Sequence, residues 1–124
     1  MKTHLSILLI FCAAIGFTPI ASAQVKQGNT PSKQQTAFQF YQQRDFKSAL
    51  PLFKELYDGS QGSSIYPYYL QCLIETKDFD KAEETVKNEM KKTPNQQRLD
   101  VDLGYVYLMA GRKEKADRVF ENAI

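Results

Sequence analysis

The residue types that carry most enzyme chemistry are scarce in this chain of 124 residues. Its one histidine is His4, and its two cysteines are Cys12 and Cys72. General-base catalysis, activated thiols and zinc sites usually require histidine or clustered cysteines. Gly59 and Gly62 superficially resemble a phosphate loop, but no predicted strand precedes them and no Gly-Lys-Ser/Thr follows. The carboxylates fall mainly on polar helix faces, as solvated side chains do. We therefore expect a protein that is not an enzyme, with no catalytic residue, no cofactor and no metal.

The first 23 residues have the layout of a secretory signal peptide. Lys2 supplies a positive start, residues 5–17 form an apolar run, and Ala21-Ser22-Ala23 offers a small-residue cleavage site. We expect cleavage before Gln24, which would also remove the histidine. An uncleaved anchor is the alternative, although the run is short for a membrane span. Lipidation at Cys12 is disfavoured by the bulky Phe11 before it.

Cleavage would leave 15 basic and 14 acidic residues, since Lys2 is lost. This balance indicates neither nucleic acid nor an anionic membrane as a partner, and no membrane span is expected in the mature chain. The signal sequence and Gln24 resemble those of envelope proteins of Gram-negative bacteria. The resemblance implies an exported protein of the periplasm, with outer-membrane association or secretion as alternatives.

Cys72 would be the one cysteine of the mature chain, so it cannot form an internal disulfide. Its helical, apolar neighbourhood favours a buried and inert thiol. A redox or intermolecular role is the alternative.

A helical repeat organises the rest of the chain. Ala49, Ala82 and Ala116 lie 33 and 34 residues apart, with similar residues around them. A fixed period of this length is typical of a solenoid, whose units cannot bury their apolar faces alone. An ordinary helical bundle is the alternative, but it needs no such register. The matching segments are 45–49 followed by Phe53, 78–82 followed by Val86, and 112–116 followed by Phe120.

These spacings resemble the tetratricopeptide repeat family. The resemblance implies an all-α solenoid of helical hairpins with three repeats, about 32–62, 63–96 and 97–124, as the amino-terminal part of a longer array. Lys113 occupies the repeat position at which the other two copies have an aromatic residue, Phe46 and Phe79. The third copy has the most signature residues, at Leu103, Gly104, Tyr107, Ala116, Phe120 and Ala123. The second keeps Leu70, Phe79, Ala82 and the closing Pro94. The first keeps Ala37, Phe40, Phe46, Ala49 and Phe53.

Capping and breaking residues predict six helices in three antiparallel pairs, with no strand. Residues 24–31 lack an apolar period and are interpreted as a flexible leader. Ser32, Asp45 and Asp78 are candidate N-caps, and Gly111 is a turn residue. The predicted helices are 33–43, 46–58, 65–76, 79–92, 97–110 and 113–124, with residues 59–64 as a loop.

The family resemblance implies that the first helix of each pair lines a concave face where a protein or peptide docks. Positions next to the packing residues would turn toward that face. The candidate partner-binding residues are Gln34, Phe38, Tyr41, Gln71, Ile74, Glu75, Arg98, Tyr105, Leu108 and Met109. Aromatic and aliphatic side chains dominate this set, which indicates an apolar or mixed protein segment as ligand. The alternative is that Phe38, Ile74 and Leu108 complete the core.

Two functions are therefore predicted for the chain. The first is an exported scaffold for protein–protein interaction. The alternative is an accessory or recognition arm of an envelope enzyme whose catalytic domain lies beyond residue 124. The sixth helix carries Val119, Phe120, Ala123 and Ile124, so we also expect self-association through this helix.

Overall fold

Six α-helices account for most of residues 30–59 and 61–124, which are the residues that the computed structural model describes. No strand occurs among these residues, so the predicted all-α class is confirmed. Residues 31–124 form one compact unit. The expectations for the signal peptide, for Cys12 and for residues 24–29 of the leader lie outside the described residues. The helices are α1 (Lys33–Gln42), α2 (Phe46–Asp58), α3 (Gly62–Glu75), α4 (Phe79–Lys92), α5 (Gln97–Met109) and α6 (Lys113–Ala123).

Side-chain caps are found at the amino ends of three helices, α1, α2 and α4. Ser32 forms a capping box, in which its Oγ accepts the Gln35 backbone N–H at 3.2 Å and Gln35 Oε1 accepts the Ser32 N–H at 2.8 Å. Asp45 caps α2 and Asp78 caps α4 in the same sense, each accepting an N–H three residues later. The three predicted N-caps are confirmed.

The same tight turn joins the two helices of each pair. Arg44, Lys77 and Gly111 have φ angles of 60°, 62° and 74°, in the left-handed region. The residue after each one donates its N–H to a carbonyl five residues back, at 2.8–2.9 Å. This is the bonding of a helix that ends in a left-handed residue. The three turns lie 33 and 34 residues apart, the same period as the alanines.

Helix α3 begins at Gly62, three residues before the predicted start at residue 65. The predicted loop, residues 59–64, was therefore too long, because residues 62–64 belong to α3. Gln61 provides no side-chain cap, but its carbonyl accepts the Ser64 and Ile65 N–H groups at 3.1 and 3.2 Å. Backbone bonding thus extends the helix through small polar residues that usually indicate a loop.

Small residues lie where the paired helices approach each other. Ala49, Ala82 and Ala116 are fully buried. A Cβ atom on Gly104 would lie 2.3 Å from the Phe120 ring, so the glycine is what allows that ring to pack on α5. Consecutive helices contact one another from α1 to α6, and the short turns make each pair antiparallel.

Tyrosine hydroxyls link helices that belong to different helical pairs. Each hydroxyl donates to a carboxylate on another helix, and no buried side-chain polar atom of the described residues lacks a partner. These bonds hold one helical hairpin to the next. They also pair polar groups that would cost free energy if they were buried without a partner. The three pairs are Tyr57 with Glu89 at 2.6 Å, Tyr66 with Asp102 at 2.9 Å, and Tyr107 with Glu83 at 2.9 Å.

Arg112 anchors the third pair at the position where Asp45 and Asp78 cap the second helices of the other two pairs. Its guanidinium donates to Asp80 at 2.8 Å and to Glu83 at 2.9 Å, both on α4. Lys113, at the position where the other two pairs have an aromatic residue, is exposed. Ionic contacts to α4 therefore supplement the packing of the third turn.

Candidate functional site

The exposed apolar side chains of the described residues are concentrated on α5. Four of the five large ones lie there: Val101, Tyr105, Leu108 and Met109, exposed by 47%, 41%, 50% and 48%. Val101, Tyr105 and Leu108 are spaced at i, i+4 and i+7, so they share one face of the helix. We call these three residues the α5 stripe. The opposite face of α5 is buried in the core, so this helix is apolar on two sides.

A groove runs between α3 and α5, beside the α5 stripe. Its volume is about 360 Å³. Leu70 and Ile74 are buried along it and give it an apolar floor, while Tyr105 belongs to both the groove and the stripe. We call it the α3–α5 groove. It is lined by Tyr66, Pro67, Leu70, Gln71, Ile74, Arg98, Asp102 and Tyr105.

A hydrogen bond fixes the wall of the α3–α5 groove. Tyr66 donates its hydroxyl to the Asp102 carboxylate at 2.9 Å. Burial, together with the nearby Asp102 charge, raises the pKa of Tyr66 well above its ordinary value, so the phenol stays neutral and remains a donor. Asp102 is thereby held at the groove, one helical turn after Arg98.

The structure brings four of the predicted partner-binding residues together in this groove, namely Gln71, Ile74, Arg98 and Tyr105. Leu108 and Met109 are exposed on α5 but do not line the groove. Glu75 does not line the groove, but its carboxylate accepts the Gln71 amide at 2.7 Å. Gln34 is exposed on α1 and does not line the groove.

Phe38 and Tyr41 do not offer the free surface that was predicted. Both are half-buried and pack edge-on against aromatic rings of the core. Phe38 lies 4.7 Å from the Tyr68 ring centroid and 5.2 Å from that of Phe53, and Tyr41 lies 5.4 Å from Tyr68. The reason is that α1 buries only Ala37 completely, so large rings must fill the space between α1 and α3.

Ile74 is also buried, with only 4% of its surface exposed. The alternative that Phe38 and Ile74 complete the core is therefore correct for these two residues. It is wrong for Leu108, half of which is exposed. Ile74 still contributes to the floor of the α3–α5 groove.

Five residues of this region are absent from the predicted partner-binding set, namely Tyr66, Pro67, Leu70, Val101 and Asp102. Val101 could have been found, because it precedes Tyr105 by four residues and Leu108 by seven. Pro67 and Asp102 could not, since their place in the groove depends on how α3 packs beside α5.

The apolar face expected on α6 is smaller than predicted. Val119 and Phe120 are half-buried and pack against the core, and the Phe120 ring covers Gly104. Ile124 is fully exposed. The larger apolar surface thus lies on α5 rather than on α6.

Cys72 is fully buried in α3. Burial raises the pKa of its thiol to about 12, with the Glu75 charge as a smaller cause. The thiolate, which is the reactive form, is therefore disfavoured in the folded protein. This agrees with an inert thiol.

Within residues 30–59 and 61–124, no group of three or more histidine, cysteine, aspartate or glutamate side chains is arranged to hold a metal ion. None of the helices in this part of the chain combines the length and the apolar character needed to cross a membrane.

Comparisons of the chain with protein-family models, with curated proteins and with solved structures returned no match.

Proposed function

We propose that this chain is a non-catalytic protein–protein interaction module that binds a protein segment on the α5 stripe and in the α3–α5 groove. The observation that carries the proposal is the concentration of exposed apolar side chains on one helix beside a groove. Folded monomers rarely leave such side chains contiguous unless the surface binds something. Tyrosine and large aliphatic residues also supply contact area at low entropic cost.

We further propose that the module is a tetratricopeptide-type array. The identical turns at 33- and 34-residue spacing support this, as do the buried alanines at the same period. In such an array the first helices of successive pairs lie side by side, which is the relation of α3 to α5. Export to the periplasm belongs to the same proposal and is supported by the signal-peptide layout of residues 1–23.

The proposal is tested by selecting binding peptides against the full chain from a displayed random 14-residue library. The Tyr105→Ala/Leu108→Ala double variant should weaken the selected peptides about 10- to 100-fold, because central apolar contacts dominate such interfaces. Binding is measured by fluorescence anisotropy, and folding by circular dichroism.

The matched control is Asn88→Ala/Lys91→Ala, which alters two exposed residues of α4 away from the α3–α5 groove. It should leave peptide affinity unchanged. Failure to select any peptide, or equal loss of affinity in both double variants, would refute the proposed site.

A further inference from the structure

We draw no further inference here: the strongest candidate, the depression that the nearly buried Glu89 lines between the carboxyl end of α4 and the amino ends of α3 and α5, carries nothing, because Tyr57 and Lys92 already bond the Glu89 carboxylate and nothing in the described part of the chain shows what else would occupy the depression.

Discussion

Small side chains decide how closely the helices of this chain approach each other. Gly104 faces the Phe120 ring and the three period alanines are fully buried, so these positions have no room for further atoms. Their spacing was readable in the sequence. The burial of Phe38 was predicted as an alternative and that of Tyr41 was not predicted, because it follows from the lack of other large side chains between α1 and α3.

Gly104→Ala should destabilise the protein by about 1–3 kcal/mol, although alanine is the better helix former. The added methyl group would lie 2.3 Å from a ring carbon of Phe120, and a ring that packs on the core has little freedom to withdraw. The free energy of unfolding is measured by urea titration followed by circular dichroism.

The matched test is the Gly104→Ala/Phe120→Leu double variant. Leucine frees the space that the ring occupied, so the two changes together should cost less than the sum of the single changes. A stability equal to or above wild type for Gly104→Ala would show that the helices do not cross closely at this point.

At the scale of helices, the boundaries of five of the six were predicted to within one residue. Capping residues and the repeat period determine those ends. The start of α3 was missed because its first turn is formed by backbone bonds to Gln61 and by no side-chain signal. The turns at Arg44 and Lys77 were also missed as left-handed positions, since only the third turn has a glycine to indicate it.

Lys77→Gly should stabilise the protein by roughly 0.5–1 kcal/mol. Lys77 has a φ of 62°, which costs about 1–2 kcal/mol for a residue with a Cβ atom. Glycine adopts this angle without steric strain, but its greater conformational freedom in the unfolded chain offsets part of the gain. The change in the free energy of unfolding is obtained from the shift of the urea midpoint, provided that the dependence of this free energy on urea concentration is unchanged.

Lys91→Gly supplies the control for the turn, because this exposed lysine lies inside α4. The same substitution should there be destabilising, by about 0.5–1 kcal/mol. If both glycine substitutions lowered the free energy of unfolding equally, Lys77 would not have the left-handed φ angle assigned to it.

At the scale of the whole molecule, the sequence predicted the helical-hairpin architecture better than the surface. Periodicity identifies the buried face of each helix, but exposure on the other faces depends on how hairpins stack. The α3–α5 groove exists only because α3 and α5 lie side by side, and Asp102 enters it through a bond to a tyrosine 36 residues away. Such residues carry no signal in their own sequence neighbourhood.

Burial of phenols and a thiol across the molecule predicts sensitivity to alkali. Burial is the largest cause that raises the pKa of Tyr57 to about 12 and that of Cys72 to about 12, and it also raises the pKa values of Tyr66 and Tyr69. In the unfolded chain these groups ionise near their ordinary values, about 8.5 for cysteine and 10 for tyrosine. The unfolded state therefore loses more protons, and the folded state loses stability as the pH rises from about 9 to 12.

Urea unfolding at pH 7, 9, 10.5 and 11.5 should give free energies that are highest at the two lower values and then fall. Tyr57→Phe tests the cause, because it removes one group whose pKa is raised together with its bond to Glu89. The variant should be less stable than wild type by about 1 kcal/mol at pH 7. Between pH 9 and 11.5 it should lose less stability than wild type, so the two curves converge. Parallel curves, or a wild-type stability that does not change over this range, would mean that the tyrosines are not held neutral by the fold.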